Sequence, residues 1–94
     1  MPHYKIAHLL EQGQNMIIVP LDSAFGSKSQ SEQHGEISEL QFRATRAGLA
    51  GTVVPVWPTG GGRMAFIAPN VWHSFFSSLN LNFVLSNLNK ELYW

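Results

Sequence analysis

The sequence has no cysteine. That absence excludes a disulfide scaffold, a thiolate nucleophile, an iron–sulfur cluster and every cysteine-based zinc motif. Charge is scarce too, at 13% of residues, and it is balanced, with six Lys and Arg against six Asp and Glu. Nucleic-acid backbones and anionic lipids are held by clustered basic charge, so neither is an expected partner. No apolar run approaches the ~20 residues of a membrane-spanning helix. The start, Met-Pro-His-Tyr-Lys, has no basic segment followed by an apolar stretch, and the sequence therefore predicts a cytoplasmic protein. Internal repeats are absent at any useful period.

What is present is enough apolar material to fold. Hydrophobic residues make up 45% of the 94 and aromatic residues 12%, and a chain of this length fits one domain over residues 1–94. Ile6, Leu9 and Leu10 share a helical face ahead of Gly13 and predict a helix over residues 4–12, with an extended reading of so short a segment left open. Residues 15–22 (NMIIVPLD) read as a strand that Pro20 pushes to an edge or a bulge. Residues 23–35 read as a mobile loop whose only large apolar residue is Phe25. A helix follows over residues 36–47, with Ile37, Leu40, Ala44 and Ala47 inward, Glu39 and Arg43 paired outside, and Gly48 as its stop. Two strand-like runs, 52–58 and 63–68, flank Thr59-Gly60-Gly61-Gly62 as a hairpin. Pro55 marks the first of them as an edge and leaves the proline-free second central. Pro69 opens a helix over residues 71–79, and Leu81, Val84, Leu85, Leu88 and Leu92 repeat at helical spacing. The expected fold is α+β, with a small three-stranded, mainly antiparallel sheet of order 1-3-2 and elements running αβαββαα.

No motif compels a chemistry. His3, His8, His34 and His73 include no pair at the i,i+4 spacing of a helical zinc site, so no metal and no cofactor is expected. Asp22 and Ser23 end a strand where α/β proteins often gather polar groups, but no G-x-S-x-G elbow accompanies them. The plainer reading has them capping the strand end. The Gly60-Gly61-Gly62-Arg63 turn offers amides and a guanidinium to an anion, yet it leads into a strand rather than into the helix of a phosphate loop, which favours a plain hairpin turn. No catalytic residue is assigned.

The aromatic residues carry more information. Trp57 and Phe66 lie on the hairpin, Trp72, His73 and Phe76 on the next helix, and Tyr93 and Trp94 close the sequence. Such residues build cores, anchor interfaces or line pockets, and all three uses stay open for them. Four asparagines among residues 80–89 add a face not shaped purely for water.

The block from Ile37 to Trp72, ISELQFRATRAGLAGTVVPVWPTGGGRMAFIAPNVW, with the Phe75-Phe76 and asparagine-rich stretches after it, resembles the small proteins encoded in bacterial integron mobile gene cassettes. The resemblance implies a bacterial, self-associating module without a known activity, and it brings no functional residue. Three functions are therefore expected in descending order. The first is a non-enzymatic interaction module, a homodimer with room for a further protein partner. The second is a small-ligand binder or minor enzyme with a pocket near Trp57 and Trp72, using Arg63, His73 and Asp22. The third is an antitoxin or immunity protein. Tyr93 and Trp94 are expected to dock on the sheet or across a subunit boundary.

Overall fold

Met16 to Val19 and Val53 to Trp57 are two unbroken apolar runs, and every residue in both is buried. Side chains alternate between the two faces of a strand, so a strand buried at every position must be covered on both sides. These two runs are accordingly the middle of the sheet. In the computed structural model, which describes residues 3–11, 13–61 and 63–93, with Tyr93 described through its backbone, they form β2 (Gln14–Pro20) and β3 (Thr52–Gly60) and pair in parallel. β1 (His3–Glu11) joins β2 antiparallel, β4 (Arg63–Phe66) joins β3 antiparallel, and β5 (Lys90–Tyr93) joins β1 antiparallel. The sheet order is β4-β3-β2-β1-β5. A parallel pair needs a crossover, supplied by the 3-10 turn Ser23–Ser27 and α1 (Gln30–Arg46). A second 3-10 turn, Asn70–Trp72, runs into α2 (His73–Ser77), and α3 (Leu81–Ser86) precedes β5.

Two cores result, one on each face. Ile6, Ile17, Val19, Val53 and Leu92 meet Leu40 and Ala44 of α1. Ala7, Met16, Ile18, Val54 and Val56 meet Trp72, Phe76 of α2 and Val84 of α3.

This architecture, α+β with a five-stranded mixed sheet, overturns the three-stranded sheet of order 1-3-2 and the element order αβαββαα. Residues 3–11 are a strand and not a helix. Ile6 and Ala7 are adjacent, fully buried and on opposite cores, an arrangement only an extended chain provides. Gly13, at φ +78, stands where the chain reverses between the paired residues Glu11 and Gln14 instead of ending a helix. The expected loop over residues 23–35 is mostly ordered. Phe25 is buried, and α1 begins six residues early behind a capping box in which Ser29 and Glu32 bond one another. The C-terminal leucine stripe divides: Val84 faces α2, whereas Leu92 sits in a strand on the α1 side.

Proline also misplaces the edges. β2 and β3 are interior although Pro20 and Pro55 belong to them, and β4, free of proline, is the outer strand. A residue's N and C=O point to the same side of a strand. The Pro55 carbonyl accepts from the Ile67 N–H at 3.2 Å, so its missing donor faces a point just beyond β4. Pro20 is the last residue of β2.

Two side-chain amides extend the short outer strands. Where β4 has ended, Gln41 of α1 accepts from the Val53 N–H at 2.9 Å and donates to the Gly51 carbonyl at 3.0 Å. Before β5 begins, Asn89 accepts from the His8 N–H at 2.8 Å and donates to the His8 carbonyl at 3.0 Å. Each carboxamide offers the donor and acceptor that a neighbouring peptide group would have offered. Gly51 beside this seam, at φ +125, would bring a Cβ to 2.6 Å from the Asn15 carbonyl, so no other residue fits there.

Candidate functional surface

The sequence from Met64 to Asn89 contains no Lys, Arg, Asp or Glu. It builds the whole α2–α3 layer. α2 and α3 have only 5 and 6 residues, too few to be helical alone, and they depend on local bonds and on the sheet. Asn80 caps α3 by accepting from the Phe83 N–H at 2.8 Å, Asn87 donates to the Phe83 carbonyl at 2.7 Å, and Ser78 donates to the Phe75 carbonyl at 2.7 Å. Trp72, Phe76 and Val84 anchor the layer from below. Phe66 packs against His73 and Phe76, each at 5.4 Å between ring centroids, and Phe75 meets Phe76 edge-on at 5.3 Å. On the outside, Val71 is 85% exposed, Leu85 49% and Phe83 36%. The exposed polar residues between them are serines, asparagines and His73.

The opposite layer is finished differently. α1 carries Glu32, Glu36, Glu39, Arg43 and Arg46. Its one large exposed apolar residue, Phe42, has the guanidinium groups of Arg43 and Arg46 within 5.7 Å of its ring, and Arg43 also pairs with Glu39 at 3.4 Å.

A polar cleft of about 390 Å³ lies at the carboxyl end of β2, lined by His3, Tyr4, Leu21, Asp22, Lys28 and Glu36 among others. Lys28 and Glu36 form an ion pair across it, and the Glu36 carboxylate raises the Lys28 ammonium above the usual lysine range. Asp22 accepts from the Ala24 N–H at 3.0 Å, which is the strand-ending role. His73 lies on the other side of the sheet against Phe66, its Nε2 3.1 Å from the Ala68 carbonyl, so Asp22, Ser23 and His73 do not converge. Among the described residues, no three His, Asp or Glu side chains stand close enough to hold a metal, and no helix is long and apolar enough to cross a membrane.

The residues singled out from sequence divide between the faces. Phe66, Trp72, His73 and Phe76 come together in the α2 layer. Trp57 follows Val56 in β3 and points the other way, onto Phe25 at 4.8 Å and Gly26. The sheet therefore stands between Trp57 and Trp72. Trp57, Trp72 and Phe76 are buried, which leaves them as core anchors. Arg63 opens β4 at the hairpin, exposed. Tyr93 ends β5 opposite His3, and Trp94 lies outside the described residues. The outward residues Val71, Phe83 and Leu85 were not among the sequence candidates; the charge-free stretch that carries them is the signal that marks them. No protein-family model matches the chain, and no curated protein or solved structure matches it significantly.

Proposed function

We propose that this chain is a non-enzymatic interaction module, of the kind carried by bacterial mobile gene cassettes, that pairs with a second copy of itself through the α2–α3 layer. The observation behind this reading is the charge-free face with Val71, Phe83 and Leu85 turned outward. Interface centres are depleted in charge and enriched in aromatic residues. A face without charge also meets its own copy across a twofold axis with no like-charge repulsion. A standard interface takes about 800 Å² from each partner, about a seventh of the 5703 Å² surface of this chain, and the charge-free stretch holds more than a quarter of the residues. A cytoplasmic setting accompanies this reading, because a cysteine-free fold needs no oxidising compartment.

Light scattering on a sizing column tests it. The wild type at tens of micromolar is expected at twice the 10.5 kDa chain mass. Val71→Lys with Leu85→Lys is expected to give a folded monomer with an unchanged far-UV circular dichroism spectrum, since exposed substitutions usually alter a monomer's own stability by only about 0.5 kcal/mol. Its melting temperature, unlike the wild type's, is expected not to rise with protein concentration. Phe42→Lys on the opposite layer should leave the dimer intact. A wild type that stays monomeric at that concentration overturns the proposal.

A further inference from the structure

The Gly60-Gly61 turn and the start of α3 enclose a cavity of about 260 Å³ lined by Pro58, Gly60, Arg63, Asn80, Leu81 and Asn82. Arg63 is the only charged residue between Arg46 and Lys90. Among the described residues its guanidinium has neither ion pair nor hydrogen bond. The arginines of α1 are different: Arg43 holds Glu39, and both Arg43 and Arg46 lie over the Phe42 ring.

The donors in this cavity outnumber the acceptors. Asn80 uses its oxygen on the Phe83 N–H, which leaves its amide nitrogen to donate. Asn82 contributes a second carboxamide, and no carboxylate of the described residues lines the space. Pro58 and Leu81 supply an apolar wall. Small-ligand sites combine such a wall with a few convergent polar groups, and a flat guanidinium fork matches a flat carboxylate through two parallel bonds. A phosphate would bring about two charges to a single cation.

We propose that this cavity binds a small organic carboxylate, its head paired with Arg63 and its apolar body against Pro58 and Leu81. Asn82 stands one helical turn before Leu85 on α3, so the cavity borders the surface proposed for pairing.

Amide NMR shifts during titration with sodium benzoate up to roughly 10 mM test this, an affinity range suited to one ion pair and one ring. The titration is run on the Val71→Lys, Leu85→Lys variant as well as on the wild type, so that the two readings fail separately. Saturable shifts confined to Gly60, Arg63, Leu81 and Asn82 are expected. Arg63→Gln should weaken benzoate binding by at least about tenfold, and Arg63→Lys should weaken it less, because charge is kept while the fork is lost. Benzyl alcohol, of the same shape without charge, should cause no saturable shift. The proposal is overturned by equal binding of benzyl alcohol, by unchanged affinity in a folded Arg63→Gln variant, by shifts elsewhere, or by tighter binding of inorganic phosphate than of benzoate.

Discussion

The two faces of this sheet are covered in opposite ways. On one side a single helix of 17 residues carries its own capping box, an i,i+4 ion pair and a charged outer surface. On the other, two helices of 5 and 6 residues carry no charge at all and take their order from the sheet beneath them. α1 is complete as a boundary with water. The α2–α3 layer has a well-packed underside and an upper side that still exposes Val71 and Leu85, which is why the association surface is placed there. The contrast predicts unequal responses to core truncation. Phe76→Ala should cost about 3–5 kcal/mol and Leu40→Ala about 2–5 kcal/mol. Beyond the totals, Phe76→Ala should also strip α2 of its hydrogen-exchange protection, because helices this short do not persist without packing. α1 should keep its protection in Leu40→Ala. Urea unfolding with native-state exchange decides, and α2 protection surviving in Phe76→Ala would remove the distinction between the layers.

A smaller effect is expected at the seams where each layer meets the sheet edge. Gln41 belongs to α1, and Asn89 follows α3; each stands in for a missing strand residue. Gln41→Leu should cost about 1–2 kcal/mol, since it strands a partly buried N–H, and Asn89→Leu about 1 kcal/mol, since water reaches the exposed His8 groups. Equal costs near zero would show that solvent serves these edges as well as the amides do.

The same seams explain what the sequence concealed. The β3–β4 hairpin, the β2 run and the inward residues Leu40 and Ala44 of α1 were legible, because turn chemistry and local periodicity encode them. Strand order was not. β2 and β3 pair across α1, and nothing local to NMIIVP or TVVPVW names the other as a neighbour. Pro20 and Pro55 misled because a missing donor excludes a neighbour only on the side it faces, and here both face places where pairing has stopped. The leucines of β1 and β5 match a helical repeat as well as a strand, and the mutual pairing of the two segments, from His3 with Tyr93 to Ile6 with Lys90, overrides that local likeness. The aromatic residues were legible as core, interface or pocket without a choice among the three, since a spacing does not reveal which side of a sheet Trp57 or Trp72 will take. The candidate surface was visible only as an asparagine-rich segment of low charge.

The smallest expected effect separates the layers by pH. In the capping box of α1, the Glu32 carboxylate accepts from the Ser29 N–H and hydroxyl, and these bonds hold its pKa below the usual carboxylate value. A carboxyl whose folded pKa is depressed adds stability above its unfolded pKa and loses it as pH falls through the folded value. The α3 cap, Asn80 on the Phe83 N–H, has no titrating group. Acid should therefore loosen the start of α1 before it affects α3. Ser29→Ala should lower stability at neutral pH by about 1 kcal/mol, the usual worth of a serine cap. Glu32→Gln, which removes the titrating carboxyl, should flatten the decline of the urea midpoint between about pH 6 and about pH 3. Ser29→Ala should flatten it only in part, because the hydroxyl bond is lost while the backbone N–H of residue 29 still donates. Asn80→Ala should lower the midpoint by a similar amount at every pH in that range. If Glu32→Gln and the wild type declined in parallel on acidification, Glu32 would carry none of the acid sensitivity assigned to α1.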